Sequence, residues 1–471
     1  MAFPTGWAHK VAITIDHTQI DADLTDWTLV FDQEFDAVLT QVDGPLDADG
    51  TRPSINGGGD VRFSSDSAGS TQLAVDVRKW STDNTPSNGE CEIAVKVPFV
   101  SSSVDTTIYL WWGKAGETQP AVGDSYGQYN AYDSFYEGVW PLNEDPGPGS
   151  ADDIKDRTSN QNHGTADNSM VSADSVDAPI GKGIEFDGVD DFIDIAADPS
   201  TEIDLTDRIT IEACVRPVSR GNKGPAFSRM DIVDSFKGYD LYVNPAKDEF
   251  SGHRVNAWPS DARKAISATT ISYGVWQHFV SVDNGTTGNE TNMTLYRNGV
   301  PDVGGGAGNS LSSSDTTPAV GPTIGCRRSG ASTKEHFEGA ISEIRLSRAE
   351  RSGAWVKANY NNQFNIIGFL AWGTIQDTDG DSSSSGVVAE SSSSSQSILS
   401  SLSSSTQSDS TGSTQSLSTE STQTSIASES TPSSQSSDSS GSTESSPTSI
   451  TSDSTQSGLS DSSGSTESSP T

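Results

Sequence analysis

The chain has 471 residues, 32% of them hydrophobic, and sets 28 Lys and Arg against 65 Asp and Glu for a formal charge of −37. That length allows two to three domains. The acidity argues against nucleic acid and anionic membranes as partners, and it fits either simple solubility or life in salty water, where screening relieves self-repulsion.

Residues 7–113 read as short strands. VAITID (11–16), WTLVFD (27–32), DVRFSSD (60–66), QLAVDVRKW (72–80), CEIAVKVPFV (91–100) and TTIYLWWG (106–113) are the candidates. Several alternate apolar and polar residues, and turns rich in Gly, Pro, Asn and Asp separate them, which predicts an antiparallel β-sandwich over 1–113. These residues also resemble a β-domain family of microbial surface proteins, found just before lectin-like domains. The resemblance rests on Trp7 with VAITID, on DVRFSSDSAG, on the strand around Trp80, and on IAVKVPFV and TTIYLWWG. It implies no activity.

Residues 114–137 interleave Tyr126, Tyr129, Tyr132, Phe135 and Tyr136 with polar residues. They read as an ordered connector, and the aromatic row as packing between domains or as a sugar platform.

A second domain is expected over 138–375. It opens with VWPLNE, and GKGIEFDGVDDFIDI (181–195) reads as a hairpin whose turn is crowded by Asp187, Asp190 and Asp191. RITIEACVRP, GYDLYVNP, WQHFVSVDNG and MTLYRNGV are further strands, and AERSGAWVKANYNNQ predicts a short helix capped by Ser352. The order of elements resembles the laminin-G-like branch of the concanavalin A-like lectin/glucanase fold. The residues that carry this are Trp140 and Leu142, Asn162-His163-Gly164, Phe186-Asp187-Gly188, Asp191-Phe192, Trp276 to His278, Tyr296, Asn298-Gly299, and Gly339 to Arg345. Cys214 stands where such domains commonly carry Trp, a departure expected to cost core volume. The resemblance implies a jelly-roll sandwich of two antiparallel sheets that binds glycans or proteins and often holds calcium.

Residues 376–471 are expected to form a Ser/Thr-rich tail. Beyond 381 the chain holds no Lys, Arg, His, Cys or aromatic residue, and SDSSGSTESSPT occurs twice, so disorder is expected there. The fold class is therefore all-β: two β-sandwich domains, the second a concanavalin A-like jelly roll, plus a disordered tail.

Retaining glucanases of this broad fold place Glu, Asp and Glu on alternate positions of one strand, so that nucleophile and acid share a face. No Glu-x-Asp-x-Glu occurs, and the pair Glu185 and Asp187 lacks the third member. Calcium is the expected cofactor, because hard cations want several oxygens converging from a tight turn. Asp187, Asp190 and Asp191 form one candidate set, and Asp377, Asp379 and Asp381 in DTDGD the other; ordinary turn chemistry is the competing reading. Cys91, Cys214 and Cys326 show no zinc or disulfide spacing and read as buried thiols. Asn284, Asn289 and Asn292 each open an Asn-x-Ser/Thr triplet in one loop, which reads as chance or as a glycosylation signal.

No run is apolar enough for membrane insertion, and no classical signal peptide is recognisable. The expected function is non-catalytic recognition of a glycan or surface protein, in an extracellular or virion-surface setting, with homo-oligomer or virion assembly as a further expectation. A purely structural assembly protein and a polysaccharide-acting enzyme or its accessory module are the alternatives.

Overall fold

The computed structural model describes residues 3–378 apart from 55, 148, 168, 196–202, 219–220, 309 and 314, and apart from the side chains of residues 290, 366 and 367. Residues 379–471 of the Ser/Thr-rich tail lie outside the described residues, Asp379 and Asp381 among them.

Period-2 burial sets the first sandwich. In His9–Ile15 the side chains of Val11, Ile13 and Ile15 are fully buried and their neighbours are not, as in a strand with one face on a core. This strand is flanked on one side by Thr106–Trp112, then Arg62–Ser64 and Gln72–Leu73. On its other side lie Leu370–Trp372 and Gln376–Asp377. A three-stranded antiparallel sheet, with Glu90–Val100 between Leu24–Asp32 and Val75–Ser81, covers this sheet. Leu29, Phe31, Phe63, Ile93 and Val95 belong to the shared core.

The position of Leu370–Trp372 and Gln376–Asp377 corrects the expected boundary. Residues 370–372, assigned to a second domain ending at 375, and residues 376–377, assigned to the tail, instead pair with the first sandwich. Phe369 is fully buried beside Trp27, and Trp372 meets Phe31 edge-on at 5.3 Å, so apolar burial draws the chain back to its starting strand.

The second sandwich is a jelly roll of two larger sheets. The eight-stranded sheet is centred on Glu338–Ser347, Ile209–Pro217 and Gln277–Asp283; the ten-stranded sheet is centred on Gly224–Asp231, Lys237–Asn244 and Glu249–Ala257. Phe250 from one sheet stacks on Phe279 from the other, with ring centroids 4.3 Å apart, in a core that includes Trp140, Phe186 and Phe227.

The expected hairpin at 181–195 is not one. Lys182–Asp187 pairs with Glu338–Ser347 in the eight-stranded sheet, while Ile193–Ile195 pairs with Gly164–Ala166 and Thr323–Ile324 in the ten-stranded sheet. The acidic turn is therefore a corner that carries the chain from one layer to the other.

A helix, Gly353–Phe364, ties the sandwiches together. It starts as expected at Ser352, whose side chain accepts from the Trp355 N–H. Among the described residues strand Leu24–Asp32 has a strand partner on one edge only, and the side-chain amide of Asn362 covers the other: its Oδ1 accepts from Val30 N at 2.9 Å, and its Nδ2 donates to Val30 O at 2.7 Å. An amide side chain thus stands in for a neighbouring strand's peptide group. On the same helix, Asn359 accepts from the Trp27 indole and donates to Glu212 of the second sandwich. All three cysteines are buried free thiols. Cys214 faces the helix, with Sγ 3.0 Å from Gln363 Oε1.

Between the two cores lies a buried ionic layer. Register shifts between Val77 and Lys79, and the resulting bulge re-aims Arg78 toward the other sandwich. Its side chain, with no exposed surface, bonds Glu92 at 2.9 Å and grips both oxygens of Glu343 at 2.8 and 3.0 Å. Arg345 bonds Glu343 in turn, and Glu212 lies 3.0 Å from His278 Nε2. Burial pushes the Glu212 carboxyl up, but His278 and Arg345 outweigh it and hold the group at about 2. Connector residues Tyr132 and Tyr136 are buried in this layer, and Tyr132 donates to Asp76, so these two members of the aromatic row serve packing. Tyr126 and Phe135 remain exposed.

Glu144 borders this layer. Burial raises its carboxyl to about 7, and Oε2 has no hydrogen-bond partner among the described residues. The folded protein therefore keeps a proton that the unfolded chain releases from about 4.5 upward, so this group's contribution to stability falls as pH rises from about 4.5 to 7 and is level above. Urea unfolding of Glu144→Gln should show a gain over the native protein that grows across that window, by up to ~3 kcal/mol. A gain that does not change between pH 4.5 and 8 would refute the assignment.

Candidate functional site

The ten-stranded sheet buries one face in the sandwich core and turns the other outward. In Lys237–Asn244, Tyr239, Leu241 and Val243 belong to the core. Strand alternation then sends Asp240, Tyr242 and Asn244 to the outer face. Across the ladder Asp240 is opposite His253, and Lys264 is the next partner of His253. Met230, Val255 and Ala262 form a small apolar cluster on this face.

Met230, Tyr242, Asn244, His253, Val255 and Lys264 line part of a pocket of about 210 Å³. Arg327 is its centre. The guanidinium lies 4.1 Å from the Tyr242 ring centroid, donates from Nε to Asp240 at 2.7 Å, and donates from Nη1 to Glu335 at 2.8 Å. His253 Nδ1 lies 2.6 Å from the other oxygen of Asp240. Burial pulls His253 below its ordinary value despite that carboxylate, so the imidazole is neutral at pH 7. With Nδ1–H donated to Asp240, Nε2 is left as an acceptor. Burial raises the Asp240 carboxyl, but Arg327 and His253 outweigh it and leave the group below the usual range.

Trp258 stands at the rim, 36% exposed, with its ring edge-on to His253. Lys223 reaches Glu335 at 3.0 Å and Lys264 reaches Glu249 at 3.2 Å. Lys247, on the turn after Lys237–Asn244, is exposed. Asn244 is buried, and its Oδ1 has no partner among the described residues. The pocket therefore offers an aromatic face, ammonium donors and free acceptors. Glu335 is the single carboxylate among its lining residues and is held by Arg327 and Lys223. An aromatic face set among fixed donors and acceptors is an arrangement that suits binding.

None of these residues was singled out from the sequence. A signal was present in GYDLYVNP: Asp240, Tyr242 and Asn244 put polar groups on one strand face where Tyr239, Leu241 and Val243 are apolar on the other.

The expected metal residues fall elsewhere. Ligand oxygens of Asp187, Asp190 and Asp191 lie within 4.8 Å of one another at the sheet-to-sheet corner. Asp187 Oδ1 accepts from the backbone N–H groups of Val189, Asp190 and Asp191. Asp191 accepts from the Asp187 N–H and from Ser169. Burial pushes Asp187 up, yet these N–H bonds leave it below its usual value; burial dominates at Asp191 and raises it. Two of the three carboxylates thus shape the corner, and a hard cation would compete with those bonds. Asp377 is drawn to the first sandwich, where it pairs with His9 at 3.0 Å and Arg52 at 3.2 Å.

No curated protein matches the chain. Among solved structures, the carbohydrate-binding module CBM40 of a Ruminococcus gnavus IT-sialidase, bound to α2,3-sialyllactose, is similar at 15% identity, covering 38% of this chain and 96% of that one with a TM-score of 0.31. Domain 4 of AbnA, a GH43 extracellular arabinanase from Geobacillus stearothermophilus, in complex with arabinotriose, is similar at 13% identity, covering 47% and 97% with a TM-score of 0.29. The binding domain of Paraclostridial Mosquitocidal Protein 1 is similar at 15%, covering 50% and 55% with a TM-score of 0.35. Likenesses at this level do not bear on ligand or activity. The sequence match is more direct: residues 187–357, within the second sandwich, match the family described as the concanavalin A-like lectin/glucanases superfamily.

Proposed function

We propose that the protein recognises glycans without cleaving them, through the outer-face pocket of the ten-stranded sheet. The observation that carries this reading is the exposed Trp258 ring beside convergent polar groups. A ring face stacks on the C–H face of a sugar, while hydroxyls need fixed donors and acceptors around it. Lys264 Nζ supplies donors, Asn244 Oδ1 and neutral His253 supply acceptors, and the ion-paired Arg327 holds the wall rigid without rearranging. Display outside a cell belongs to the same reading and is supported by the acidic composition and the Ser/Thr-rich tail.

The test is a glycan array probed with the native protein and with Trp258→Ala. Native protein should bind at least one oligosaccharide class, and the variant should bind it about tenfold or more weakly, the loss expected for removing one stacking face. Equal binding by both proteins would move the site elsewhere, and no binding by the native protein would end the reading.

A further inference from the structure

The charge of this pocket runs against the charge of the chain. Asp and Glu outnumber Lys and Arg by 65 to 28 overall, yet the pocket is lined by Lys223, Lys247, Lys264 and Arg327 against Glu335 alone. We propose that the pocket is built for an acidic sugar, one bearing a carboxylate or a sulfate; this inference rests on the glycan reading above and names the class of ligand.

The neighbouring carboxylates do not cancel the lining. Asp240 is fully buried and is matched by Arg327, with the neutral His253 hydrogen-bonded to its other oxygen, and Glu249 is matched by Lys264. An ammonium has three N–H donors, so Lys264 and Lys223 each keep donors after pairing with one carboxylate. Lys247 makes no ion pair among the described residues, and it stands exposed at the pocket's edge. A neutral sugar would leave that charge unanswered. The long-range field points the same way: a surface of this net charge repels anions, so an anionic ligand requires a local cluster of cations. At physiological salt the screening length is about 8 Å, which leaves the groups inside the pocket to decide. A bare anion would not use the Trp258 ring, whereas a charged sugar uses both features.

The experiment is an array of oligouronides and sulfated galactan oligosaccharides, printed beside carboxyl-reduced and desulfated counterparts and neutral glycans, with inorganic sulfate as a competitor. Native full-length protein should bind charged members about tenfold or more tightly than their neutral counterparts. Lys247→Gln, and Lys247→Gln combined with Lys264→Gln, should progressively erase that preference, while Trp258→Ala should weaken charged and neutral members together. Tight binding of the neutral counterparts, or a preference untouched by both lysine variants, overturns the acidic-sugar assignment and leaves glycan recognition standing. Complete displacement by millimolar sulfate would mean that a bare anion suffices and would also overturn it. Failure to bind any printed glycan overturns both readings. Carboxylated against sulfated members separates the two sources of charge.

Discussion

Arg78→Ala should lose ~3–5 kcal/mol of folding stability in chemical denaturation, the cost of leaving buried charges without a partner. The guanidinium has no exposed surface and holds Glu92 of its own sandwich and Glu343 of the other. Truncation leaves Glu92 without a cation and Glu343 with Arg345 alone, in a layer that is buried from water. The attraction of those carboxylates, Glu343 first, holds the Arg78 guanidinium charged against its own burial. Arg78→Lys should fall between, since an ammonium cannot grip both Glu343 oxygens in the planar geometry that the guanidinium fits. Pairing Arg78→Met with Glu343→Gln should recover part of the loss, because the variant then leaves fewer unmatched charges. A loss below ~1 kcal/mol for Arg78→Ala would mean that water enters the layer and that the sandwiches are held by the helix alone.

How much of this was legible in the sequence depends on the kind of interaction. Strands such as VAITID and RITIEACVRP announce themselves by alternation, and turn residues punctuate them, so the all-β class followed from the residues, while the jelly roll rested on the family resemblance alone. Alternation does not say which sheet a strand joins. GIEFD and FIDI carry the same apolar pattern whether they pair with each other or with separate partners, and only the other strands of each sheet decide. The ionic layer was hidden for a related reason. Arg78, Glu92 and Glu343 look like ordinary surface charges until two sheet faces close on them. The pocket combines both problems, since Tyr242, His253 and Arg327 come from separate strands that only the sheet order brings together. The acidic turn at 187–191 drew attention because its carboxylates are adjacent in sequence, yet that adjacency serves the corner's own N–H groups. The boundary at 375 failed because FLAW (369–372) is too short to register as a returning strand.

That return supplies the other large effect. Removing everything after residue 364 should lower the melting temperature by at least about 10 °C, whereas removing everything after residue 381 should leave it unchanged. The shorter truncation discards only Ser/Thr-rich sequence without aromatic residues, which has too little apolar surface to support a core. The longer one also discards fully buried Phe369 and the strands Leu370–Trp372 and Gln376–Asp377. Losing one buried Phe side chain alone costs roughly 3–5 kcal/mol. It also bares an edge of His9–Ile15, whose outer N–H and C=O groups then have only water or another chain to bond. The Asp377 pairs with His9 and Arg52 go as well, though at this exposure they add little. Since whole domains are stable by about 5–15 kcal/mol, this loss takes a large share of what holds the first sandwich together. The helix Gly353–Phe364 would remain, so the experiment separates the edge strands from the Asn362 clamp. Should the 1–364 protein melt within 2 °C of the 1–381 protein, the returning strands contribute no stability and the first sandwich is complete without them.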